Sequence, residues 1–280
     1  MGFFLGLSGN LHDCAYCITD ETGNILVHSE LERDIRIKEV PGNSLLYYLQ
    51  DESTLKYDNN ICSISTYLHL DHLNMLNLLK NLQDKWNDDL ALKVLQPIKK
   101  YQTDIGIEDS LQRLKHILNR KQIDLEIYGH HECHAFEAFA RHESNEALII
   151  SIDGGGFDLQ NNEMFELHTG AWHGKTDSTG KKEVNPILLD KQLSFGSIYN
   201  LTTRLLGFST GYPKGSQAGS VMGMAAWGSS RETLHLFEDN FLWQNTSAKN
   251  QKRDEVFKSR RYFEDQVATY LQSGKSENEI

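Results

Sequence analysis

Ala147-Leu-Ile-Ile-Ser-Ile-Asp-Gly-Gly-Gly156 is an almost continuous apolar run of strand length that ends in a carboxylate and three glycines. Such a run is expected of a central strand buried on both faces, closing in a glycine turn. Met164 to Trp172 reads as the next strand. The chain opens on the same pattern: Phe3 to Ser8 is apolar, Gly9-Asn10 turns, and Cys14 to Thr19 returns. Asp20-Glu-Thr-Gly-Asn24 then marks a turn into a third strand, Ile25 to Ser29. A pattern occurring at the head of each half reads as a duplicated lobe, residues 1–145 and 146–280. Strands at Ile61 to Thr66 and Leu125 to Tyr128 alternate with helical stretches at Ser44 to Leu49, Asp71 to Leu82 and Glu108 to Asn119. That alternation predicts an α/β fold with mixed sheets. Lys175 to Lys182 is polar and reads as an exposed hairpin tip. Further helices are expected at Gly196 to Leu206, Ser220 to Trp227, Arg231 to Phe241 and Arg261 to Leu271, before a polar tail from Ser273 to Ile280.

The 280 residues carry 39% hydrophobic and 24% charged side chains, an ordinary globular balance. A net charge of −11 argues against a broad nucleic-acid surface, although a few local donors suffice for a small anion. No apolar run approaches the roughly 18 residues of a membrane helix, and the first residues lack a basic region and a cleavage site. A cytoplasmic protein with no membrane partner is therefore expected. Cys14 and Cys17 lie three apart in a strand and face opposite sides, so a shared metal or redox pair is not expected there.

Four segments carry chemistry. In Gly129-His-His-Glu-Cys-His-Ala135, which follows a strand and opens a helix, His130 and His134 fall on one helical face. Two imidazoles so placed are what a divalent metal needs, whereas His131 points roughly 100° away. Asp153 sits at the carboxyl end of a strand, a usual place for catalysis, and Gly154 and Gly155 allow backbone amides to approach a phosphate. Alone, an Asp before glycines is as readily a turn. Ser8-Gly-Asn-Leu-His-Asp13 is a loop that either cradles phosphate, with His12 as donor or acid, or is a plain hairpin turn. Ala218-Gly-Ser-Val-Met-Gly-Met-Ala-Ala-Trp-Gly228 is a glycine-rich entry to a helix, suited to an anion or a flat ring through Gly219, Ser220 and Gly223, or to close helix packing. Arg36 and Lys38 are candidate phosphate contacts or surface charges. His69 and His72 read as a solvated helix face.

In this order the segments resemble the NodU-type carbamoyltransferases. The family's HDSSA resembles His12-Asp-Cys-Ala15, and its EERFTRIKH resembles Glu30 to Lys38. Its HHxxHA is matched by His130-His-Glu-Cys-His-Ala135 and its DGxG by Asp153-Gly-Gly-Gly156. Its SLGxxYxxxTxxLGF resembles Ser194 to Phe208, and its GKxMGLAAYG resembles Gly219 to Gly228. The resemblance implies an actin-like (ASKHA, RNase H-like) fold of two lobes, similar also to the proteins that make threonylcarbamoyladenosine in tRNA. It implies that His130, His134 and Asp153 hold an iron-like divalent metal, with manganese or zinc as alternatives. It places His12, with Asp13, against carbamoyl and phosphate groups, and Gly219 to Gly228 against adenosine. The implied activity is ATP-dependent conversion of carbamoyl phosphate to a carbamoyl-adenylate, then transfer to a hydroxyl or amine acceptor.

Family members are about twice as long, so the second lobe is expected to be incomplete here, without a YrdC-like domain. A partner chain or self-association is expected to complete it. Where the family reads EGKxMG, this chain has Ala218 and Ser220, with Lys214 nearby. That departure keeps open a second reading, a non-catalytic nucleotide- or partner-binding module on the same fold.

Overall fold

The computed structural model describes residues 2–9, 12–120, 122–160, 163–190, 195–209 and 217–228. The helices expected at Arg231 to Phe241 and Arg261 to Leu271, the tail, and Lys214 lie outside the described residues.

Two sheets form the frame. The first has the order β3-β2-β1-β4-β5, built from β1 (Phe3–Ser8), β2 (Ala15–Asp20), β3 (Ile25–Glu30), β4 (Ile61–Tyr67) and β5 (Asp124–Tyr128). β1, β2 and β3 pair antiparallel, whereas β1, β4 and β5 run parallel, so this sheet is mixed as expected. Local chemistry sets the hairpin between β2 and β3. The Asp20 carboxylate accepts from the Thr22 and Asn24 amides at 2.8 and 3.0 Å, and Gly23 supplies the positive φ of +82°.

Between the strands lie α1 (Leu31–Ile35), α2 (Ser44–Gln50), a 3-10 helix (Glu52–Asn60), α3 (Leu70–Asp84), α4 (Asp88–Val94) and α5 (Ile107–Arg120). Met75, Leu76, Leu79 and Leu82 on α3, and Leu114, Ile117 and Leu118 on α5, recur at helical spacing and bury against Leu5, Tyr16, Ile18 and Ile64 of the sheet. α1, the 3-10 helix and α4 have no counterpart in the sequence reading. None reaches the roughly 11 residues over which an apolar period is read, and α4 is announced chiefly by its cap, Asn87 accepting from the Leu90 amide.

His72 corrects the expectation of a solvated helix face. It is fully buried, its Nδ1 lying 2.9 Å from Thr66 Oγ1 on β4. It occupies the first turn of α3, which faces the sheet. His69 instead accepts the Asp71 amide as the N-cap.

The second sheet, order β6-β7-β8, is antiparallel and comprises β6 (Glu146–Gln160), β7 (Glu163–Thr176) and β8 (Lys182–Asp190). α6 (His130–Ala140) and α7 (Phe195–Leu205) pack on it, and α8 (Ala218–Ala225) packs on α7. Ala135 and Phe139 of α6 share a second core with Ile149, Leu167, Trp172 and Val184. β8 escaped the sequence reading because Pro186 interrupts its pattern, at a register shift on the outer strand.

Two expectations for β6 are corrected. It does not stop at the glycines but bulges and continues to Gln160. Nor is it buried on both faces: Leu148, Ile150 and Ile152 are 67%, 60% and 55% exposed, because among the described residues helices cover only the Ile149–Ser151 side.

Candidate metal centre

The parallel strands β1, β4 and β5 end on one side of the first sheet, the usual location of sites in such sheets. β1 leads into the His12–Asp13 loop, β4 ends at Tyr67, and β5 runs through Gly129 into α6. α6 begins at His130, so one turn separates His130 from His134 on a common face. β6 brings Asp153 to the same place through its bulge, where Asp153, Gly154 and Gly155 stand opposite the single residue His168. Gly155, at a φ of +147°, permits the detour.

Three ligand atoms converge as a result. His130 Nε2 lies 2.6 Å from Asp153 Oδ2, His134 Nε2 lies 3.6 Å from the same oxygen, and the two Nε2 atoms are 3.2 Å apart. A single ring nitrogen cannot both donate to Asp153 and accept from His134. A cation satisfies all three lone pairs together. Ligands at about 2.1 Å from a divalent ion stand roughly 3.0–3.4 Å apart, so the spacing asks only a small opening of the His130–Asp153 pair. Two imidazoles and one carboxylate suit a borderline metal such as iron, manganese or zinc, and leave coordination positions for an exogenous ligand.

The electrostatics agree with that donor set. Burial would raise the Asp153 carboxyl, but hydrogen bonds from His130, His134 and the Gly154 amide outweigh it and hold the group well below the ordinary carboxylate range. His134 is raised by its hydrogen bond to Asp153, against the loss of hydration. Around the centre, Tyr67 packs edge-on against His130 at 5.4 Å. His168 lies 3.0 Å from the Gly154 carbonyl through Nδ1 and fixes the bulge.

The loop residues lie within electrostatic reach of the centre, because the Asp153 charge acts on His12. His12 Nδ1 and Asp13 Oδ2 are 2.7 Å apart on half-exposed side chains. The Asp13 hydrogen bond raises His12, against partial burial, and the charges of Asp13, Glu39 and Asp153 add to it. Asp13 is lowered by the same bond, with Lys38 contributing. Lys38 is thus the basic candidate within electrostatic reach, whereas Arg36 ends α1 in a left-handed conformation with its amide on Glu32 O.

The glycine segments divide. The Gly154 amide turns onto Asp153 Oδ1 at 2.5 Å, and a Cβ on Gly196 of α7 would meet the Gly154 nitrogen at 2.4 Å. Close packing of α7 on β6 therefore requires Gly196. In contrast, Gly219, Ser220 and Gly223 are exposed on α8, and a Cβ on either glycine would meet nothing within 4 Å. Helix packing among the described residues does not account for those glycines. Among the described residues α8 packs chiefly on α7, which in turn packs on β6.

Tyr67, His168 and Asp158 were not singled out from sequence. Tyr67 ends an apolar strand and looks like one more core aromatic. Asp158 is five residues from Asp153, a spacing that places two residues on opposite faces of a regular strand. Comparison with known proteins finds no family model and no curated protein that matches this chain.

Proposed function

We propose that this chain is an ATP-dependent carbamoyltransferase of the NodU type, or the amino-terminal half of one, on an actin-like scaffold. One observation carries the reading: His130 and His134 on α6 converge with Asp153 on β6, within electrostatic reach of His12. Carbamoyl phosphate and ATP are both anionic, and a candidate cation site within electrostatic reach of a raised histidine matches them. A divalent cation held by His130, His134 and Asp153 supplies positive charge to anionic oxygens. His12, whose charged form is favoured by its hydrogen bond to Asp13, donates a hydrogen bond to the phosphate of carbamoyl phosphate. Lys38 adds a nearby cation, and the open face of α8 at Gly219, Ser220 and Gly223 receives the adenosine. The acceptor is a small molecule bearing a hydroxyl or amine, and a second polypeptide or a second copy completes the second sheet.

The test is carbamoyl-phosphate-dependent exchange of pyrophosphate into ATP by the full chain, alone and with the proteins that copurify with it. Exchange that requires both carbamoyl phosphate and a divalent ion is expected. ATP binding without exchange under every condition favours the second reading, a non-catalytic nucleotide- or partner-binding module. The observation behind that reading is Ala218 and Ser220, in the places where the NodU pattern has an acid and a lysine.

A further inference from the structure

α6 carries two of the three converging ligands, yet the residue before it, Gly129, has no side chain with which to cap the helix. Glu132 reaches back to the Gly129 amide at 3.0 Å, which leaves the amides of the first turn to find partners elsewhere. They find Asp158. The His131 amide lies 3.2 Å from each of its carboxylate oxygens, and the Glu132 amide lies 3.3 Å from Oδ1. The His131 ring donates through Nδ1 to Oδ2 at 2.9 Å. Asp158 is 2% exposed and His131 is fully buried. No room remains at this junction, because a Cβ on Gly129 would fall 2.2 Å from Asp158 Oδ1.

The geometry points to Asp158 as the positioning residue of the metal centre, an inference that rests on the reading of His130, His134 and Asp153 as ligands. Asp153 and Asp158 lie on one strand, Asp153 in the bulge and Asp158 beyond it. Before the bulge, Ile149 and Ser151 are the buried positions of β6; after it, Gly156 lies against the His130 ring and Asp158 against the start of α6. β6 thus meets α6 with odd-numbered residues before the bulge and with even-numbered residues after it. Two carboxylates at odd spacing thereby meet one helix, one as a ligand and the other as the clamp on the helix that bears the remaining ligands. Asp158 fixes the axial position and rotation of α6 relative to β6. His130 Nε2 is in turn held at its distance from Asp153 Oδ2. His131, the histidine between the ligands, is the side-chain half of the clamp.

The experiment is titration of the full chain with Co2+, reading affinity and the visible ligand-field bands, for wild type, Asp158→Asn and Tyr48→Phe. Tyr48→Phe loses a buried hydrogen bond to Asp58 in the other core, so it reports what lost stability alone does. Asp158→Asn is expected to stay folded by circular dichroism, to bind Co2+ roughly 10–100-fold more weakly, and to shift the ligand-field bands. Tyr48→Phe is expected to melt earlier with affinity and bands unchanged. Wild-type affinity and bands in folded Asp158→Asn overturn the positioning role and leave the centre standing. Absence of Co2+ binding by the wild type overturns both. If Asp158→Asn does not fold cooperatively, His131→Gln replaces it. Weakened Co2+ binding with shifted bands in that variant supports the clamp, and unchanged binding overturns it.

Discussion

At Asp153 burial and hydrogen bonding oppose each other, and hydrogen bonding wins, so the group remains an anion where a metal ligand must be one. His12 shows the complementary case. Its hydrogen bond to Asp13 raises it above the ordinary histidine value, so the charged form persists to higher pH. An anion held by His12 is therefore bound fully below the ordinary histidine pKa, stays bound above it, and is released as pH rises through the raised value. We expect carbamoyl phosphate affinity to fall over that interval, His12→Gln to flatten the profile, and Asp13→Asn to move the fall to lower pH. A binding titration across pH checks this. Two thiols give a second residue-level expectation. Burial pushes Cys14 and Cys133 each up to about 12, so both should resist iodoacetamide at pH 8 while the protein is folded. Mass mapping of the alkylated protein reads the outcome. His130 and His134 were legible in the sequence because their relation is local, set by one helical turn. Asp158 was not, because its partner lies on another element.

The elements depend on a few close approaches. A Cβ on Gly156 would come within 2.4 Å of the His130 ring carbons. Gly156→Ala should therefore displace His130, lower stability by about 1–3 kcal/mol and weaken metal binding. Urea denaturation together with metal titration measures both effects. In the first core the corresponding node is Arg113. Its buried guanidinium meets Asp58 at 2.6 and 2.7 Å, and it also takes the carbonyls of Tyr48, Leu49 and Asp51. Arg113→Met should cost about 3–5 kcal/mol in urea denaturation, since it leaves a buried carboxylate without its cation. Neither node was visible in the sequence. Arg113 reads as one polar position of an amphipathic helix, and the glycines read as a terminus rather than a bulge. The main strands and the long helices were legible, because alternation and helical period persist over enough residues to be read.

Over the whole molecule, the mixed five-stranded sheet and the three-stranded sheet each have their own core, and α6 belongs to the second while its first residue follows the last strand of the first. The centre therefore stands where the two sheets meet, with β1, β4 and β5 contributing loops from one side and β6 a carboxylate from the other. The α/β class and the mixed sheet were readable from element order. Solvation of one face of β6 was not, because an apolar run does not record what covers it. Among the described residues, no helix is long and apolar enough to cross a membrane. The apolar face at Leu148, Ile150, Ile152, Ile187 and Leu188 accords with the proposal of a partner chain or a second copy, and a native mass above that of one chain is the expected result. The most direct test of the central claim is the metal content per chain, measured by elemental analysis after purification without chelator, for wild type, His130→Ala and His134→Ala. The account predicts about one iron, manganese or zinc per wild-type chain and loss of it in both variants. Metal content equal in all three, or no metal in the wild type even after reconstitution, would contradict it.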